Sequence, residues 1–281
     1  MKKLLLTIAA LMLAATSVFA QYPDGYLSED EMPEPYSWIP DPPLMTSAEF
    51  MNDFYYYQWG LHQRTVEGVS DIAIFDESAE LEDVFLITIN GTIINNENTP
   101  EIMMLVQRAV SDAHAANRTI KNHYQRIRPF ATFKDESLIP ETDEEEAATF
   151  SYPSGHSTRG YIYAMTLSTL MPQKTNDLMD RACVYALNRV ICGHHWKSDI
   201  DASLLLAAGL FANIVSTEAF QEQLKKAREE YSRLTSGGTR IEMTEVAPVR
   251  GAAIYDMQGR QLNAKPNHGV YIQNGQKHIE K

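Results

Sequence analysis

Apolar residues recur at helical spacing through most of the chain, from about residue 46 to 234. Ser47 is a suitable capping residue, and Phe50, Phe54, Tyr57 and Leu61 follow it on one predicted helix face. Pro100 begins a second helix, which carries its apolar stripe to about residue 124. The same pattern predicts four more helices, over 157–171, 176–192, 199–216 and 218–234. The fold class is therefore mainly α, a helical bundle.

One stretch of this region allows two interpretations. Residues 84–94 are apolar and β-branched and contain Asn90-Gly91, which is typical of a tight hairpin. The same residues could instead belong to a helix–turn–helix. The pattern alone leaves both open, and the family resemblance described below favours the helical alternative.

Both ends of the chain have a different pattern. Residues 1–20 combine two lysines, a short apolar run and a final Ala20, which predicts a secretory signal peptide cleaved after Ala20. Residues 21–45 form a proline-rich arm expected to lie over the domain at 46–235. Residues 236–247 are a predicted linker, and 248–281 contain short strands with glycine turns, a small C-terminal β appendage.

Charge and apolar run length exclude two classes of partner. The net charge of −13 becomes −15 once the two leader lysines are removed, so nucleic acid is not an expected partner. The longest later apolar run, Leu204 to Val215, has only twelve residues and contains Gly209 and Asn213. We therefore predict a buried core helix there and no stable membrane insertion.

The two cysteines, Cys183 and Cys192, fall in one predicted helix. Nine residues of helix separate them by roughly 13 Å, beyond the reach of a disulfide. Both are predicted to be buried free thiols.

Three clusters of polar residues stand out from the helical pattern. They are Lys121 with Arg128; Ser154, Gly155 and His156; and Arg189, His195 and Asp199. Each cluster is commonplace alone, but together they supply every part of a phosphoryl-transfer site.

The first requirement of such a site is to hold a phosphate dianion by its three oxygens. Arg128 and Arg189 offer planar guanidinium groups, and Lys121 adds a point charge. Ser154 and Gly155 form a turn into a helix, where backbone N–H groups can cradle an anion.

The second requirement is a nucleophile and an acid. His195 and Asp199 lie four residues apart and share a helix face, so Asp199 can hold one ring nitrogen while the other attacks phosphorus. His156 is the natural general acid for the leaving oxygen. His194 is also a candidate, but its neighbour His195 has the better spacing to Asp199 and Arg189.

Longer strings around these clusters resemble the bacterial class A non-specific acid phosphatases of the type 2 phosphatidic acid phosphatase (PAP2) and vanadium haloperoxidase superfamily. The strings are Lys121 to Phe130, Ser151 to His156 and Arg189 to Asp199. The resemblance extends from about Tyr26 to Ser232. One residue departs from it: Asn188 stands where the family usually has Ser, and an amide that still donates to phosphate is expected to tune rather than abolish binding.

The resemblance implies a PAP2-type helical bundle and metal-independent hydrolysis of small-molecule phosphate esters, with no cofactor. It implies that His195 forms a phosphohistidine, that Asp199 stabilises it, and that His156 protonates the leaving group and then activates water. The phosphate ligands it implies are Lys121, Arg128, Ser154, Gly155 and Arg189. A mildly acidic optimum is expected because His156 must start protonated and His195 neutral.

Other functions remain open at this point. A lipid phosphate or diphosphate (apyrase-like) phosphatase and a haloperoxidase belong to the same superfamily, and a surface protein that only binds phosphate is a different class. The resemblance also leaves open a homo-oligomer.

Residues 248–281 resemble the C-terminal sorting domains of proteins exported by the type IX system of Bacteroidetes. The matching strings are Ile254 to Arg260 and Gly269 to Ile272, with a basic end at Lys277 to Lys281. This implies contact with secretion machinery and a periplasmic, cell-surface or secreted protein.

Overall fold

The computed structural model describes residues 23–236 and, towards the C-terminus, residues 254–256, 261–262, 264–265, 269–273 and 276–280. The predicted signal peptide at 1–20 and nearly all of the predicted linker at 236–247 lie outside the described residues.

Helices dominate the described part of the chain, which confirms the predicted mainly helical fold class. They are α1 (Phe50–Gln63), α2 (Val69–Ser78), α3 (Leu81–Phe85), α4 (Pro100–Tyr124), α5 (Pro129–Phe133), α6 (Asp143–Ala147), α7 (Gly155–Leu170), α8 (Thr175–Ile191), α9 (Lys197–Ser216) and α10 (Glu218–Ser236). Short 3-10 turns occur at Glu29–Glu31, Pro35–Ser37, Pro140–Thr142 and Pro172–Lys174.

The central helix of the bundle is α7, which packs against α4, α8 and α9. Its residues Ile162, Ala164 and Leu167 are fully buried. Gly160 lets α8 approach, because a Cβ at this position would lie 2.6 Å from the Tyr185 ring. The N-terminus of α7 is thereby fixed beside the C-terminal half of α4.

The ambiguous stretch contains a hairpin, so the helix–turn–helix interpretation was wrong for its second half. Strands β1 (Thr88–Ile89) and β2 (Thr92–Ile93) pair antiparallel. Asn90 and Gly91 both have positive φ, 48° and 84°, as a tight hairpin of the predicted kind requires. The short helix α3 immediately precedes this hairpin.

The N-terminal arm packs on the bundle through aromatic side chains. The Tyr26 backbone N–H donates to Asp112 of α4 at 2.9 Å, and the Tyr26 ring meets Phe220 of α10 edge-on at 5.2 Å. The Trp38 ring lies against Gly209 of α9, where a Cβ would be 2.5 Å from the ring. The arm thus contacts three helices.

Helix α9 is long and apolar enough, by length and composition, to cross a membrane, with a mean hydropathy of 1.4. This differs from the prediction, which counted Gly209 and Asn213 as breaks. Leu206, Leu210 and Ile214 are fully buried in the bundle core, as expected of a core helix.

The cysteines are free, as predicted, but only Cys192 is buried. Cys183 is exposed because it lies with the exposed Val184 on the outer face of α8. The prediction that both thiols are buried was therefore wrong for Cys183.

The described C-terminal residues form an antiparallel sheet in the order β4-β3-β5-β6. Its strands are β3 (Ile254–Asp256), β4 (Gln261–Leu262), β5 (Gly269–Gln273) and β6 (Gln276–Glu280). A small β appendage was predicted here.

Candidate active site

A cavity of about 410 Å³ lies between α4, α7 and the loop before α7. Five of the eight predicted site residues line it: Lys121, Arg128, Gly155, His156 and His195. The other three, Ser154, Arg189 and Asp199, are buried behind its wall. Three distant stretches of sequence therefore meet at one cavity.

His195 has the geometry of an oriented imidazole. Gly193, with φ of 79°, ends the turn after α8 and lets the chain bring His195 to the cavity. The Nδ1 atom of His195 is 3.3 Å from Asp199 Oδ2, and its Nε2 atom is 3.1 Å from Nη1 of Arg128. Burial, then the charges of Arg128 and Lys121, hold the pKa of His195 well below its usual value. These effects favour the neutral ring, and its Nε2 atom is directed at Arg128.

His194 occupies a different environment from its neighbour. It is fully buried and does not line the cavity. Its Nδ1 atom is 3.0 Å from Nη2 of Arg189. Burial and the charge of Arg189 lower the pKa of His194 to about 2. Of the two adjacent histidines, only His195 is placed to meet a ligand in the cavity.

Asp199 is held by a charge network that sequence reasoning missed. Arg126 donates to Asp199 at 2.6 Å and to Asp53 of α1 at 2.7 Å. The Trp196 N–H donates to the other Asp199 oxygen at 2.8 Å. Burial raises the pKa of Asp199, and the charge of Arg126 opposes that rise. In the sequence, Arg126 is marked only by its position two residues before Arg128.

Arg128 is buried, and its guanidinium is engaged by several partners. It donates to Thr149 at 2.7 Å and to the carbonyl of His194 at 3.0 Å. Its Nη2 atom also lies 2.5 Å from a carboxylate oxygen of Glu146. The acidic sequence of residues 141–146 is typical of a solvated loop, but Glu146 lines the cavity and pairs with Arg128.

Lys121 is the most easily titrated cation of the cavity. Its Nζ donates to the carbonyl of Phe150 at 2.5 Å. Burial, then the charge of Arg128, lowers the pKa of Lys121 to about 7. Lys121 therefore begins to lose its positive charge near neutral pH.

The turn before α7 is fixed by Ser154. The Ser154 hydroxyl accepts from the N–H and the hydroxyl of Ser157, and the Ser154 N–H donates to the carbonyl of Asp199 at 3.3 Å. Ser154 thus caps the helix with its oxygen, and its own O–H can still donate to an anion. Across residues 23–236, no hydrogen bond takes up the N–H groups of Gly155 and His156, which begin the helix.

His156 lies between the cavity cations. The pKa of His156 is held well below its usual value. Burial has the largest effect, and the charges of Arg159, Lys121 and Arg128 add to it. This environment favours neutral His156, whereas the predicted mechanism starts with it protonated.

Arg189 does not line the cavity, contrary to its predicted placement. Its guanidinium forms an ion pair with Glu77 of α2 and contacts His194. Its Nε atom has no hydrogen-bond partner among the described residues. Glu77 was missed because nothing in its local sequence distinguishes it from a surface residue.

Glu77, Glu146 and His194 each place one ligand atom within 4.8 Å of the others, a grouping that could hold a metal ion. Both carboxylates are already ion-paired, with Arg189 and Arg128. The positive charge that a metal would bring is supplied by these guanidinium groups.

Asn188, the departure noted in the sequence, faces away from the cavity. It is buried, and its amide donates to Asp76 at 2.7 Å. Arg181 pairs with the same carboxylate. The prediction that Asn188 donates to phosphate was wrong, because Asp76 takes its side chain.

The chain is similar to known proteins over all the residues that line the cavity. A family model described as PAP2 superfamily matches residues 102–222, a segment that includes every lining residue named above. A non-specific acid phosphatase of Providencia stuartii is 33% identical over 251 residues, which is 83% of this chain and 99% of that protein. A non-specific acid phosphatase of Salmonella typhimurium is 36% identical over 141 residues, covering 50% of this chain and 56% of its own length. An acid phosphatase of Zymomonas mobilis is 30% identical over 144 residues, covering 51% and 54%.

Proposed function

This chain belongs to the PAP2 superfamily and is an acid phosphatase, and we propose that it hydrolyses phosphate monoesters through a phosphohistidine formed on His195. The observation that carries the proposal is the pair of contacts on His195, with Asp199 at one ring nitrogen and the cavity cation Arg128 at the other. A ring held in this way has a fixed tautomer and a nucleophile directed at bound phosphate.

The phosphate group is proposed to bind at the cations and N–H groups of the cavity. Lys121 and Arg128 meet its oxygens, together with the unpaired N–H groups of Gly155 and His156. The phosphate displaces the carboxylate of Glu146 from Arg128. Arg189 joins the site by exchanging its ion pair with Glu77 for a phosphate oxygen.

The reaction then runs in two displacements. Nε2 of His195 forms a bond to phosphorus as the ester oxygen leaves, and His156 gives that oxygen a proton. Asp199 stabilises the charge that His195 acquires. In the second step His156 takes a proton from water, the water oxygen bonds to phosphorus, and the bond to His195 breaks.

The proton on His156 is proposed to arrive with the substrate. Burial and neighbouring cations favour neutral His156. A bound phosphate cancels those positive charges, so its arrival raises the pKa of His156. An ester that binds as its monoanion, the form favoured in acid, carries the required proton with it.

The purified protein is expected to hydrolyse p-nitrophenyl phosphate in excess EDTA, because side-chain cations supply the charge of the site.

Its KM is expected to rise by roughly 10-fold as the pH increases through about 7, since Lys121 loses its charge there. Initial rates across pH with and without EDTA measure both effects. Activity that EDTA removes and a divalent metal restores would overturn the metal-free mechanism.

We also propose that the enzyme is exported, from the leader-like pattern of residues 1–20 and the sorting-domain resemblance of 248–281. Mass spectrometry of the protein recovered outside the cytoplasm should find an N-terminus at Gln21. An extracytoplasmic protein that retains Met1 would contradict cleavage. Loss of the segment after 247 would indicate that sorting removes it.

A further inference from the structure

Two arginines line the active-site cavity one helical turn away from the proposed phosphate position. On α4, Arg118 precedes Lys121 by three residues and lies on the same helix face. On α7, Arg159 follows His156 by three residues in the same way. Each step corresponds to roughly 5 Å along a helix axis.

The two helices bring these arginines to the same level of the cavity. The hydroxyl of Thr158 on α7 lies 3.4 Å from the amide oxygen of Asn117 on α4, so the residues beside them face each other. His114, one turn further along α4, also lines the cavity. Burial, then the charges of Arg159 and Arg118, lowers the pKa of His114. Arg159 therefore acts across the cavity on the opposite helix.

Neither arginine has an anionic partner in the described part of the chain. Within residues 23–236, Arg126, Arg128, Arg181 and Arg189 all form ion pairs with carboxylates, whereas Arg118 and Arg159 form none. Among the residues that the structure describes, the one hydrogen bond of Arg159 is a long contact of 3.4 Å to the carbonyl of Gly155. Two unpaired guanidinium groups facing one cavity are unexpected in a chain with a net charge of −13.

The two arginines lie on the side of the cavity that the leaving group of the substrate would occupy. His156, which protonates the leaving oxygen in the mechanism above, lies on α7 between the helix N-terminus and Arg159. Whatever is attached to that oxygen extends toward Arg159 and Arg118. We propose that these two arginines form a second anion subsite, which selects organic phosphates whose leaving group carries another phosphate. This inference rests on the proposed function, since it places the second phosphate relative to the first.

Variants at position 159 test the subsite with matched substrates. Arg159→Ala is expected to lower kcat/KM by about 10-fold or more for adenosine diphosphate and for fructose 1,6-bisphosphate, mainly through KM. For p-nitrophenyl phosphate, adenosine monophosphate and fructose 6-phosphate the change should stay within about 2-fold. The diphosphate and the bisphosphate distinguish a second phosphate bonded directly to the first from one further away. Arg159→Lys, which keeps the charge, should retain most of the selectivity.

Each variant is assayed at its own pH optimum, because removing Arg159 also changes the charge around His156. Arg118→Ala is the companion variant from the opposite helix and should show the same preference for loss with doubly phosphorylated substrates. Equal losses for all five substrates, or no loss for any, would overturn the subsite. Failure of the proposed function is a separate result, because it would appear in the unmodified enzyme as absent turnover of p-nitrophenyl phosphate.

Discussion

Replacing His195 by alanine is expected to lower kcat for p-nitrophenyl phosphate by on the order of 10⁴-fold or more, the scale seen when a catalytic nucleophile is removed. The variant lacks the atom that bonds to phosphorus. The adjacent His194 does not line the cavity, and its Nδ1 atom faces Arg189. Steady-state rates and circular dichroism together separate loss of chemistry from loss of fold.

The covalent intermediate gives a second measurement. Enzyme mixed with labelled substrate and quenched in alkali should carry label on one histidine, because a phosphorus–nitrogen bond survives alkali and is cleaved in acid. His195→Ala should carry none. His123→Ala is the matched control: His123 is exposed and packs on Tyr36, and its loss should leave both turnover and labelling unchanged. Labelling that persists in His195→Ala would show that another residue is the nucleophile.

The helices and the residues that line the cavity could be predicted from the sequence, because both depend on short stretches of the chain. The spacing of Ile102, Val106 and Val110 defines a buried face of α4 without knowledge of its partner. The run from Gly193 to Asp199 likewise brings His195 to within 3.3 Å of Asp199, although His195 precedes α9 instead of sharing a helix face with Asp199 as predicted. Such features need only a few consecutive residues.

The charges that balance the site could not be predicted, because their partners are far apart in the chain. Arg126 meets Asp53 across 73 residues, and Arg189 meets Glu77 across more than a hundred. Nothing in the run at 141–146 marks Glu146 as the residue that turns inward. A buried guanidinium needs an anion when its substrate is absent, but the sequence does not say which carboxylate packing will bring to it.

At the hairpin of residues 88–93 the local sequence was the better guide. Asn90-Gly91 correctly indicated a tight turn, whereas the family resemblance favoured a helix–turn–helix. Loops between core helices vary more than the helices themselves, so turn chemistry was the better guide there.

Replacing His156 by alanine is expected to have an effect that depends on the leaving group. For an alkyl phosphate such as glycerol 2-phosphate, kcat/KM should fall by roughly 10³-fold, within the range that general acid catalysis contributes. For p-nitrophenyl phosphate the fall in the first step should be much smaller, because nitrophenolate leaves without a proton. The ratio of the two losses is the measurement.

The same substitution also affects the second displacement, since His156 takes the proton from the attacking water. With p-nitrophenyl phosphate, His156→Ala should therefore release one equivalent of nitrophenolate in a burst and then turn over slowly, with phosphoenzyme accumulating on His195. His114→Ala is the matched control, because His114 lines the same cavity two helical turns from Lys121 and should give no burst. Equal losses for both esters with no burst would assign His156 a role in holding phosphate instead, because a residue that only binds the shared phosphate cannot distinguish one leaving group from another.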